Sequence, residues 1–91
     1  MSPRRGPVEV RLERGADHVW VRWSAGDAEG ACRFDHVPGT APEWIGSAEE
    51  LLEGADRRVE DQIVVAVAER AREAGLELGI WHDDAGVELL T

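Results

Sequence analysis

The chain has 91 residues, one cysteine and a formal net charge of −9, with a pI near 4.6. That length makes one domain around one core, and the single Cys32 excludes an intramolecular disulfide. The negative balance argues against direct contact with a nucleic-acid backbone, which rewards positive charge.

No run of about 18 apolar residues is available to span a membrane, and the N-terminus lacks the apolar stretch of about 7–15 residues that marks a secretory signal. A cytoplasmic protein is therefore expected, without a membrane partner. All ten basic residues are Arg and none is Lys, which reads as the codon bias of a GC-rich genome. Residues 1–7, MSPRRGP, read as a flexible basic tail, and residues 8–91 as a single domain.

VEVRLER (8–14) alternates Val8, Val10 and Leu12 against Glu9, Arg11 and Glu13, the pattern of a half-buried strand. RGAD (14–17) turns the chain into DHVWVRWS, where Val19, Val21 and Trp23 share one face and His18, Trp20, Arg22 and Ser24 the other. AGDAEG (25–30) is a second turn. A third strand follows, with Cys32, Phe34 and His36 on one face and Arg33 and Asp35 opposite. VPGTAPEWIG (37–46) reads as a loop, because Pro38 and Pro42 forbid regular pairing, with Trp44 and Ile45 clamping it to the body.

SAEE (47–50) has the form of a capping box and opens a short helix ending near Gly54. Asp56 is the expected N-cap of a long helix over 57–74, whose buried stripe is Val59, Ile63, Val67, Ala71 and Ala74. Gly75 stops it. LELGIWH (76–82) and GVELL (86–90) alternate again and close the fold. The expected architecture is an α+β two-layer sandwich ordered β-β-β-α-α-β-β. A mostly antiparallel sheet of about five strands packs on the long helix.

GIWHDDAG (79–86) gathers a Trp, a His and two Asp. It reads as a hairpin turn, with Gly86 taking positive φ, because neighbours along a strand point to opposite faces and do not converge on one metal. A wider pocket of Cys32, His36, Trp44 and His82 is the alternative, since thiol and imidazole suit a metal or a small ligand. No CxxC or HxxxH spacing supports it, and no phosphate loop or GxSxG motif is present. Cys32 as a nucleophile lacks a local relay, because Asp35 faces away from it. Neither a metal nor a cofactor is expected.

Two surfaces point to interaction instead. Residues 43–61 hold seven acids, among them Glu43, Glu49, Glu50, Glu53, Asp56 and Glu60, against Arg57 and Arg58. They form either a solvated face or a contact for a basic partner. Trp20 and Trp81 fall opposite the aliphatic residues of their strands, beside Arg22 and Arg33, with Leu90 at the same parity. An open sheet face carrying these residues suits a protein partner or a homodimer, unless the 37–46 loop covers them. The function expected is that of a small acidic non-enzymatic interaction module. A small-molecule or metal-binding domain, or a minor enzyme, with its pocket between the sheet and residues 37–55 is the alternative.

Overall fold

The computed structural model describes residues 8–90. The basic tail read over residues 1–7 lies outside the described residues, as does Thr91. The elements are β1 (Glu9–Arg14), β2 (His18–Ala25), β3 (Ala28–His36), β4 (Trp44–Ser47), α1 (Ala48–Leu51), α2 (Arg57–Glu73), β5 (Leu78–His82) and β6 (Gly86–Leu90). All six strands belong to one sheet, in the order β1-β2-β3-β4-β5-β6.

The fold is α+β, as the sequence pattern implies, but the sheet has six strands rather than five and is mixed. The added strand is β4, which takes up the last three residues of the segment read as a loop and the capping Ser47. It pairs antiparallel with β3 through Asp35–Ile45 and His36–Trp44, and parallel with β5 from Trp44–Leu78 to Ser47–Trp81. The parallel pairing follows from the connection, because a chain that leaves β4 through two helices returns in the same direction. Pro38 and Pro42 stay outside the strand, so the argument from proline holds for them and fails only for the four residues beyond.

The helices lie on one face of the sheet. Val19, Val21, Cys32, Phe34, Leu78 and Ile80 point towards them and meet Leu51, Ile63, Val67 and Ala71 in a closed core. A helix of 17 residues is about 25 Å long, close to the width of six strands at about 4.8 Å spacing. It therefore reaches from β1 and β2 across to β6.

Local chemistry sets the boundaries. Gly26, at φ 62°, takes the first central position of the two-residue turn between β2 and β3. The Ser47 hydroxyl accepts from the Glu50 N–H at 3.3 Å and the Asp56 carboxylate from the Arg58 N–H at 2.9 Å, capping α1 and α2. The Glu50 carboxylate does not return to Ser47; it takes the Arg33 N–H at 3.4 Å, on the stretch of β3 that β4 is too short to cover.

Trp23 ties the layers together. Its indole lies over Gly30, directly opposite on β3, where any Cβ would meet the ring at 2.7 Å. Its Nε1–H donates to the Leu51 carbonyl at the end of α1, at 2.6 Å.

Candidate functional site

The outer face of the sheet has two halves. On β1–β3 it is charged and internally paired. Arg22 Nε donates to Glu13 Oε1 at 3.2 Å and Arg33 Nε to Asp35 Oδ1 at 2.8 Å. Trp20 lies among them, half-buried, with the Arg22 guanidinium 5.4 Å from its ring centre. This half is a set of exposed ion pairs braced on an indole, and such pairs contribute little each.

The β4–β6 half is apolar. Trp81 stands opposite Val87, and Gly79 opposite Leu89. Facing residues of an antiparallel pair share a side, so Trp81, Val87 and Leu89 all look outward, with exposures of 47%, 45% and 46%. Leu90 is the correction. It pairs with Leu78 on the inner face and is only 5% exposed, so it belongs to the core and not to the surface expected of it. Three apolar residues in GVELL allow either parity. Register decides: Gly86, at φ 78°, pairs with His82 after the turn Asp83–Ala85, which throws Val87 and Leu89 outward.

The 37–43 segment covers part of this half. Thr40 Oγ1 reaches the carbonyls of Val37 at 2.8 Å and Pro42 at 2.9 Å. The buried Pro42 sits against Gly79, where a Cβ would collide with its ring. The cover stops at Gly79 and leaves Trp81 open. Trp20 and Trp81 are three strands apart, about 14 Å, with the loop covering neither fully.

Beside Trp81, at the carboxyl ends of β4 and β5, is an open hollow of about 740 Å³. Glu49, Glu53, Glu60, Asp83 and Asp84 line it, with Leu52, Trp81 and His82. Among the described residues no arginine lines it, and none of those five carboxylates has a basic group within 4.0 Å. The acidic segment thus divides. Glu49, Glu53 and Glu60 face the hollow, Glu50 bonds β3, Asp56 caps α2, and Glu43 lies apart beside His36, its Oε1 3.4 Å from Nε2.

The four residues of the alternative pocket are not brought together. His36 packs against Trp44 with the rings tilted by 41° and their centres 4.6 Å apart, where β4 begins. His82 lies at the far end of β5, about 13 Å along the strand direction, with Nε2 2.9 Å from Glu88 Oε1. Trp44 is a core residue of β4 and not a loop clamp, and the Arg14 guanidinium lies 5.6 Å from its ring centre.

Cys32 is fully buried, with Sγ 3.6 Å from the Ser47 carbonyl. Burial away from water pushes its thiol up to about 12, the reverse of what a nucleophile needs. Among the described residues no three His, Cys, Asp or Glu side chains are grouped closely enough to hold a metal ion.

No helix of the described residues is long and apolar enough to cross a membrane. Compared with protein-family models, with curated proteins and with solved structures, the chain matches none.

Proposed function

We propose that this protein is a small acidic, non-enzymatic interaction module of the cytoplasm, acting as a regulator, adaptor or accessory subunit. Its contact surface is the outer face of β5 and β6. One observation carries the reading. Trp81, Val87 and Leu89 form an apolar patch and, with Val65 on α2, are the exposed large apolar side chains among the described residues. An exposed aromatic flanked by aliphatics and rimmed by charge is the composition of an interface centre. Trp20 and its arginines extend the same face and form the polar margin. A single buried thiol fits a reducing compartment.

The occupant is a protein, either a second copy or a different chain. Light scattering at low and high micromolar concentration tests the first case. Self-association through this face gives a mass above the 10.0 kDa chain that Val87→Glu returns to the monomer. A dimer that Val87→Glu and Trp81→Ala leave intact contradicts self-association through this face.

A further inference from the structure

The apolar patch and the acidic hollow are one surface, joined at Trp81. Trp81 faces Val87 across the β5–β6 pair and is also one of the residues lining the hollow, with Glu49, Glu53, Glu60, Asp83 and Asp84. Those acids belong to three separate parts of the chain: α1 and the turn after it, the first turn of α2, and the β5–β6 turn. Helix-start preferences account for acids at Glu49 and Glu60, and turn chemistry for Asp83. They do not account for all of them lining one hollow beside Trp81, with no arginine among its described lining residues.

The carboxylates are too dispersed to close on a metal ion. They are spread over an open hollow, which suits several cationic groups carried on a chain. A second copy fits worse, because each protomer carries a net charge of −9 and a two-fold axis near Trp81 would set acidic hollow against acidic hollow.

Resting on the interaction reading above, we propose that the occupant of this face is a basic polypeptide segment. Its apolar side chains cover Trp81, Val87 and Leu89, and its Arg or Lys groups enter the acidic hollow. Charge complementarity supplies steering and register, and the apolar contact supplies the bound lifetime.

The test uses a fluorescein-labelled peptide of alternating Arg and Leu, read by fluorescence anisotropy against the whole chain. Two control peptides carry Glu in place of Arg, or Ser in place of Leu. The triple variant Glu49→Gln, Glu53→Gln, Glu60→Gln is set against a charge-matched triple, Glu9→Gln, Glu69→Gln, Glu73→Gln. These three line a separate hollow between β1 and α2. Circular dichroism confirms that each variant is folded.

The expected result is binding of the Arg–Leu peptide alone, weakened about tenfold or more by Trp81→Ala and by the hollow triple. The matched triple changes it by no more than about twofold, because distant exposed charges are screened beyond about 8–10 Å in ordinary buffer. Equal loss in both triples reduces the effect to net charge and overturns the proposal. Absence of binding overturns it too. If the peptide fails while Val87→Glu breaks a dimer seen by light scattering, the occupant is a second copy: the basic segment is refuted and the interaction face stands. If neither experiment responds to Trp81→Ala, both readings fall.

Discussion

Trp81 and Val87 face each other across the last hairpin, on the side of the sheet that no helix covers. Both are close to half exposed. Since they contribute little to the core, replacing either with Ala should change stability by no more than about 0.5 kcal/mol, the usual range for surface substitutions. Chemical denaturation of Trp81→Ala checks this. A large destabilisation would mean that the indole serves the fold rather than a partner.

Trp23 is the opposite case. Trp23→Phe keeps an aromatic over Gly30 but removes the donor to the Leu51 carbonyl. A buried acceptor left without its partner costs about 1–3 kcal/mol, and the smaller ring adds a cavity. Urea unfolding should show a midpoint clearly below wild type with an unchanged slope. Trp20→Phe, half-buried among ion pairs, should cost less.

Gly79 reports on the loop that partly covers the outer face. Gly79→Ala drives a methyl group into Pro42. Overpacking of this kind costs about 1–3 kcal/mol. Pro42→Ala should recover part of that loss, giving non-additivity in a double-mutant cycle. Additive effects would show that the loop does not rest on Gly79 in solution.

Cys32 sets an alkaline limit. Its thiol is pushed up from 9.0 to about 12 in the folded state by burial. The folded chain therefore favours the neutral thiol more than the unfolded chain does. The resulting stabilisation is complete below pH 9 and is lost as pH rises from there towards 12. Cys32→Ala should flatten the pH dependence of stability in that window. At neutral pH the native thiol should resist alkylating reagents and react on unfolding. Rapid labelling of the native protein would contradict the burial.

Much of the fold was legible because periodicity and caps are local. The alternation in VEVRLER and HVWVRWS marks β1 and β2. Asp56 and Gly75 bracket α2, and DDAG marks the last turn. β4 was hidden because four residues, beginning just after Pro42 and ending on the capping Ser47, carry no periodicity of their own. They become a strand only when β3 and β5 arrive on either side, a tertiary effect.

The site was half legible. Trp81 stood out by parity, and so did the acids. Val87 and Leu89 were missed because an apolar residue in a strand is first read as core. Leu90 was misplaced in consequence, because giving Val87 and Leu89 the core parity turned Leu90 outward, and only the Gly86–His82 register settles which side is which. The union of the Trp81 face with the acidic hollow needed the topology, which brings the end of β4, the start of α2 and the last turn to one end of the sheet.

The most direct test is site-specific photo-crosslinking from within the face. A photoreactive phenylalanine analogue is placed at Val87 in one variant and at Val65 in another. Val65 is the comparably exposed apolar residue on α2, 56% accessible. Both are irradiated in cells. Protein adducts from position 87, abolished by adding Trp81→Ala and far weaker from position 65, are the result expected. Equal adducts from both positions, or none from 87, would contradict a contact surface built on Trp81, Val87 and Leu89.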